Sequence, residues 1–379
     1  MRAEPRKWSR LPVPAGIVAA LLVFATSASA ARDPIANGTT DLHMKKGFLR
    51  KIANLGVTVQ PIGNGAVVGN KIGLRVRSGK LDPTSVQGFL ETGSGFKLVR
   101  GRRGVPITRL TLNTVRGAAY ATVARAHMQI GTLSSPLVTA REGFGANLKA
   151  VKLELTEKAV RRISNRLGLR GHQRLNPGRV LSNAYATAQP ETVTVLPQGA
   201  AVLSADAGAL AKFEQKGVKV PAGITPLAPA APAGPTSFQL PIAGGAIAPD
   251  ASKGTVGTSG GVQILKQAEP FSPTMRLRNA EIDFAARTAS VELEILPKPP
   301  FAGAAGRSTV VDVTLPANSV SVDPGARTIT VNGAEARLQA GAASTLNDVF
   351  NQPAPEPPPS SNFVVGDRLA TFSMTLQAQ

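Results

Sequence analysis

The sequence predicts a mainly β protein made of two tandem antiparallel sandwich- or barrel-like domains, each with short helices at its edges. Three observations predict it. Alternating apolar and polar, β-branched stretches recur along the chain, separated by glycine- and proline-centred turns. A set of short blocks occurs twice in the same order. The chain has 379 residues, a length that ordinarily divides into two cores.

The first thirty residues read as an export signal rather than as part of either domain. Arg2, Arg6, Lys7 and Arg10 form a positive start, residues 15–25 an apolar run, and Ala28-Ser29-Ala30 the small residues of a cleavage site. The run is short for a bilayer anchor. No later stretch is long and apolar enough to span one, so the mature chain is expected to be secreted and extracytoplasmic. Cysteine is absent, which excludes disulfides and a lipid-bearing cysteine. A chain of this size can take its stability from its cores instead. Aromatic residues make up only 4%, so those cores must consist of Val, Leu, Ile, Ala and a few Phe.

The repeat supplies the elements in order. Residues 49–59 align with 210–220, each a short amphipathic helix stopped by a glycine (Gly56, Gly217) and followed by a strand. Residues 74–79 then match 240–245. Without a gap between blocks, 88–98 match 254–264, a strand, a glycine-centred hairpin and a second strand. Near the ends, 180–187 are set against 364–371, preceded by helical stretches at 156–167 and 344–351. Strand-like alternation fills 107–115, 287–295, 309–315 and 327–332, with turns expected at Pro324-Gly325 and Asn332-Gly333. Two proline-rich stretches of the second copy, 221–235 and 353–359, read as extended loop insertions. The organisation is therefore a signal at 1–30, a first domain at 31–198 and a second at 205–379.

Charge divides the two copies. Residues 31–195 hold 26 Lys and Arg against 8 Asp and Glu, whereas 196–379 hold 13 against 14. In the basic copy Arg100, Arg102 and Arg103 crowd one hairpin, and Arg161, Arg162 and Arg166 lie along the 156–167 helix. They form a candidate surface for anionic envelope components, whether wall polymers or lipid headgroups. Specific nucleic-acid readout is not expected, since the stacking aromatics it uses are scarce.

Reactive chemistry finds little support. Gly257-Thr258-Ser259-Gly260-Gly261 has the letters of a hydrolase elbow, but a strand follows where the elbow needs a helix, so it reads as a hairpin turn. The three histidines, His43, His127 and His172, are scattered through the first copy without the spacing of a metal site. Neither a phosphate-binding loop nor a dinucleotide fingerprint is present. No catalytic or metal-ligating residue is assigned, and the chain is not expected to be an enzyme.

The short helix, the Gly-Val strand and the glycine-flanked hairpins at 88–98 and 254–264 resemble the HtaA-like domain of secreted and surface proteins of actinobacteria. That resemblance implies a β-sandwich binding module with haem as its cofactor, its iron held by a tyrosine supported by a histidine beside the hairpin. The matching positions differ here. The hairpins carry Gly93-Ser94 and Ser259-Gly260, and the first helix (Phe48, Leu49, Ile52) has no tyrosine. Tyr120 and Tyr185 lie elsewhere, and Tyr120 with His127 are the remaining cofactor-binding candidates. The expectation is a binding protein for haem or another small ligand that keeps the fold without the family's haem-ligand positions. The alternative is an envelope-associated protein held by its basic domain.

Overall fold

The computed structural model describes residues 32–134, 138–267, 272–296, 305–351 and 362–379. The expected signal at 1–30 and the proline-rich stretch at 353–359 lie outside them. The first half contains β1 (Asp33–Met44), α1 (Lys46–Asn54), β2 (Thr58–Ile62), β3 (Ala66–Val68), β4 (Lys71–Leu81), β5 (Gly88–Thr92), β6 (Gly95–Arg100) and β7 (Arg103–Asn113). It continues through β8 (Ala118–Val123), β9 (Ala126–Ser134), β10 (Val138–Glu142), β11 (Gly145–Leu155), α2 (Glu157–Leu167) and β12 (Val180–Pro190). The second half contains β13 (Val193–Val195), β14 (Ala200–Ala205), α3 (Ala207–Gln215), β15 (Ile224–Leu227), β16 (Ala231–Gly234), β17 (Ser237–Ile247), β18 (Gly254–Thr258) and β19 (Gly261–Leu265). It ends with β20 (Thr274–Asp283), β21 (Thr288–Leu296), β22 (Ala305–Thr314), β23 (Val320–Asp323), β24 (Thr328–Leu338), α4 (Ala340–Phe350) and β25 (Arg368–Gln377).

Antiparallel pairing closes each half into a barrel. In the first, the ring runs β7-β5-β4-β1-β12-β11-β9-β8 and returns to β7. In the second it runs β20-β18-β17-β14-β25-β24-β22-β21 and returns to β20. Every strand of one ring has its counterpart in the other, so the duplication inferred from sequence is a duplication of topology. Closure leaves no long open edge in either ring. The alternation of the strands turns one set of side chains inward: Ala119, Ala121 and Val123 on β8, and Ala289, Val291, Leu293 and Ile295 on β21, are buried.

The helices sit where capping places them. Thr156 accepts from the Ala159 amide at 3.3 Å to start α2, and Gly168 ends it at φ +70°, a conformation that favours glycine. Asp206 starts α3 by accepting from the Gly208 amide at 2.9 Å.

Pairing also corrects four readings of the sequence. The 221–235 stretch is no loop insertion: it forms β15, which pairs with β19, and β16, which pairs with β17, just as β2 pairs with β6 and β3 with β4. Prolines are tolerated there because these strands lie at sheet margins. Asn332-Gly333 is not a turn but lies within β24 at a register shift between Val331 and Ala334, with the Gly333 amide donated to Ser373 Oγ at 2.9 Å. The second helix of the second copy begins at Ala340, four residues before the expected start. The last repeat block lies four residues away from the register that the sequence suggests. Met44 pairs with Ser182 and its counterpart Ala205 with Ala370, so Ala370 stands where Ser182 does.

The two halves meet through a short join. Val193 of β13 pairs with Ile247 of β17, and Asp33 Oδ1 of β1 accepts both the amide and the hydroxyl of Thr194 at 3.0 Å. Arg327 donates to the Gly143 carbonyl at 2.6 Å with its guanidinium 5.6 Å from the Phe144 ring centre, and Phe144 is buried with the core of the second half.

Candidate functional site

The register makes the two interiors comparable residue by residue. Gly95 pairs with Thr108 and Gly261 with Arg278; Ile107 pairs with Val123 and Leu277 with Leu293. Equivalent core positions then differ in size. Phe48 of α1 corresponds to Ala209 of α3, Phe96 of β6 to Val262 of β19, Leu110 of β7 to Ala280 of β20, and Leu153 of β11 to Ala336 of β24. Larger side chains at Val291 and Phe372, against Ala121 and Ala184, refill part of the lost volume.

The remainder stays open. A cavity of about 150 Å³ lies in the second barrel, against about 10 Å³ at the same level of the first. Its walls are aliphatic and aromatic, with Thr258 and Arg278 the polar side chains among the lining residues. The Thr258 hydroxyl is already donated to the Ala280 carbonyl at 3.3 Å.

The helices explain why one barrel end is shut and the other is not. α2 packs across β6, β7, β8 and β9, and its Arg162 donates to the carbonyls of Val123 and Ala124 at 3.0 and 3.2 Å. α4 packs chiefly on β22, and Thr345, at the position of Arg162, donates back to Gly341 within its own helix at 2.8 Å. Leu203, Leu277, Val310 and Leu369 on the cavity wall are only half-buried, whereas their counterparts Leu42, Ile107, Ile130 and Leu181 are at most 4% exposed.

The residues singled out from sequence fall elsewhere. Tyr120 and His127 do come together, with ring centres 6.0 Å apart and planes 13° from parallel. They sit on the outer face of β8 and β9, since their neighbours Ala121, Val123 and Met128 point inward. A second pair escaped the sequence reading: His43 and Tyr185 have ring centres 4.5 Å apart on the outer face of β1 and β12, beside the Asp41–Lys71 ion pair at 2.8 Å. Cross-strand register brings them together, which spacing along the chain does not reveal.

The arginines divide by role. Arg100 donates to the carbonyls of Leu55 and Gly168 at 3.0 and 3.2 Å, so it ties the ends of α1 and α2 to the β6–β7 hairpin. In the second barrel Lys266 occupies the same position and donates to the carbonyl of Phe350, the last residue of α4, at 3.0 Å. The two cations meet the negative end of a helix in the same way. Arg162 anchors α2 as described. Arg102, Arg103, Arg161 and Arg166 are exposed, Arg161 lying 3.9 Å from Glu157. Arg103 occupies the space that a side chain at Gly168 would need. Lys51 donates to Asn176 at 2.7 Å, and burial together with Arg179 holds its ammonium below the usual lysine range. Lys216, 2% exposed, is lowered too, by burial first and then by Lys266 and Lys212.

No family model matches the sequence, and no curated protein does. Solved structures do match. The C-terminal domain of HtaA from Corynebacterium glutamicum is 13% identical over 41% of this chain and 98% of that one, with a TM-score of 0.33. The chain resembles HtaA domains. The N-terminal domain of HtaA is 19% identical over 48% of this chain and 99% of that one, at a TM-score of 0.32. The heme binding protein HtaB from the same organism is 16% identical over 50% and 95%, at 0.28.

The haem associated with the HtaA resemblance does not fit the second-barrel cavity. Its lining holds no Tyr, His, Met or Cys to ligate iron. At about 150 Å³ it is also well below the roughly 300–1,000 Å³ of pockets for drug-sized ligands. Neither Tyr–His pair borders the cavity. Among the described residues no three His, Asp or Glu side chains gather to hold a metal, and no helix is long and apolar enough to cross a membrane.

Proposed function

We propose that this is an exported, non-enzymatic binding protein whose second barrel takes up a small apolar molecule, while the first barrel is a filled scaffold. The observation that carries this reading is the cavity of about 150 Å³ at a place where the companion copy is packed solid. Apolar cavities near this size stay dry and accept molecules such as benzene. The HtaA and HtaB likeness is consistent with a binding role. Haem is not the ligand this cavity suits.

Toluene titrated into the protein, followed by methyl NMR, tests the reading. Saturable shifts confined to Val262, Leu277 and Val310 are expected, and they should vanish in the double variant Ala209→Phe, Val262→Phe. Absence of saturable shifts in the unaltered protein refutes it. Hemin added in parallel should show the spectrum of free hemin.

A second reading concerns the basic barrel. Arg100 gathers the β6–β7 hairpin, the ends of α1 and α2 and the loop after α2 into one place. Lys51, Arg102, Arg103, Arg166 and Arg179 belong to these elements, and the charge of Arg179 is felt at Lys51. Such a concentration suits an anionic envelope polymer. Retention on phosphate-rich wall polymer should fall steeply with salt and be lost in an Arg102→Gln, Arg103→Gln, Arg166→Gln variant. Salt-insensitive retention speaks against it.

A further inference from the structure

We infer that the occupant of the second-barrel cavity is the hydrocarbon tail of a straight-chain amphiphile, inserted through the helix end of the barrel with its head group left in water; this deepens the cavity reading and rests on it. The wall offers the occupant no polar partner. Arg278 alternates along β20 with inward-facing Leu277 and pairs with exposed Glu292, so its side chain is turned to the outer face. The Thr258 hydroxyl is held by the Ala280 carbonyl. A polar group carried into this space would lose its water and gain nothing in return, so only hydrocarbon belongs inside.

The way in lies at the end where the helices sit. In the first barrel Ile163 of α2 shares the walls of the small residual void with Phe96, Ile107, Ile130 and Leu181, so the helix closes that end. No side chain of α4 lines the second cavity. α4 is rolled relative to α2: it buries Val349, where α2 has exposed Arg166, and leaves Ala342 half-buried, where α2 buries Ala159 completely. Leu203, Leu277, Val310 and Leu369 are therefore left as a half-buried aliphatic rim around an open mouth.

β20 widens the mouth on one side. Just past Arg278 the strand is irregular: Asn279 has φ +49°, and the register with β21 shifts between Arg278 and Glu281. β7 has the same irregularity at Arg109, with φ +52°, but there Leu110 plugs the bulge and is 1% exposed. In β20 that residue is Ala280, half-buried on the cavity wall.

From the rim the space runs inward along the strands. Its wall extends from Ala205 to Ala201 on β14 and from Leu277 to Ile282 on β20. At the rise of a β-strand the first of these stretches is about 13 Å long. An apolar space of that depth, open at one apolar end, suits a chain whose methylenes fill it while the polar end stays hydrated outside. The filled barrel, with the same strand order, has neither the depth nor the opening.

Straight-chain alcohols test the tail, and toluene tests the cavity. Calorimetric titration of the whole protein with butanol, hexanol and octanol should show affinity rising about fourfold for each added methylene. Octyl glucoside, kept below its micellar concentration, should bind within about threefold of octanol, because the head group makes no selected contact. The rise with chain length should vanish in the double variant Ala209→Phe, Val262→Phe. If toluene binds but affinity does not grow from butanol to octanol, or octyl glucoside binds more than about tenfold more weakly than octanol, the tail inference is overturned and the cavity reading stands. A rise that persists in the double variant places the alcohols elsewhere and overturns the inference as well. If toluene does not bind, both fall together.

Discussion

The first barrel is full and basic; the second is hollow and near neutral. They share strand order, pairing and helix positions, so topology did not decide which would hold a cavity. Side-chain volume at a few equivalent places did: Phe48 against Ala209, Phe96 against Val262, Leu110 against Ala280. The comparison teaches that a closed barrel tolerates a void at its centre as long as the hydrogen-bonded ring around it is intact. After duplication one copy can keep the stability while the other acquires a ligand space.

Substitutions that exchange the two states should break the comparison most strongly. Phe48→Ala gives the first barrel the residue of the second, and should destabilise that barrel by about 3–5 kcal/mol. Its unfolding can be followed by tyrosine fluorescence, because Tyr120 and Tyr185 both lie there. A loss below 1 kcal/mol would mean that Phe48 does not fill the interior. Next comes the anchor of α2. Arg162→Met removes its donations to the Val123 and Ala124 carbonyls and should cost about 1–3 kcal/mol, whereas Thr345→Met in α4 should change stability by less than about 0.5 kcal/mol. Equal effects at the two sites would contradict the claim that only α2 clamps its barrel shut.

Much of this was legible in the sequence, and the failures have physical causes. Period-two alternation and glycine hairpins revealed both barrels, and the aligned hairpins already set Phe96 opposite Val262. The cavity was not legible because it is a balance of losses and gains at residues far apart in sequence. The four-residue slip between β12 and β25 survived for a related reason: a shift by an even number keeps every side chain on its face, so the apolar pattern cannot detect it. Asn332-Gly333 has the composition of a turn, yet a bulge asks for the same positive φ, which Gly333 adopts at +62°. Sequence alone groups Arg100 with the surface charges, because it does not show that its guanidinium faces helix-end carbonyls.

Ala280→Leu sharpens the comparison from the other side. It restores the residue that plugs the β7 bulge and should stabilise the second barrel by about 1 kcal/mol while weakening toluene binding. Hydrogen exchange on β20 and β21 checks the first effect. Slower exchange with undiminished toluene affinity would separate the bulge from the cavity mouth.

The smallest expected effect is on the pH dependence of the second barrel. Lys216 and Lys266 both have ammonium pKa values held below the ordinary lysine value, burial being the main cause in each. A lysine with a lowered folded pKa binds fewer protons in the folded state than in the unfolded state between those two pKa values. Stability therefore rises with pH across that interval and levels off above the unfolded value of about 10.5. Leu55 stands at the position of Lys216 in the first barrel, so that barrel lacks this contribution. Protection of β24 and β25 against hydrogen exchange, corrected for its intrinsic pH dependence, should increase as the pH approaches 10.5 from below and should flatten in Lys216→Met. A slope unchanged by that substitution would show that the buried ammonium of Lys216 is not what the alkaline stabilisation reports.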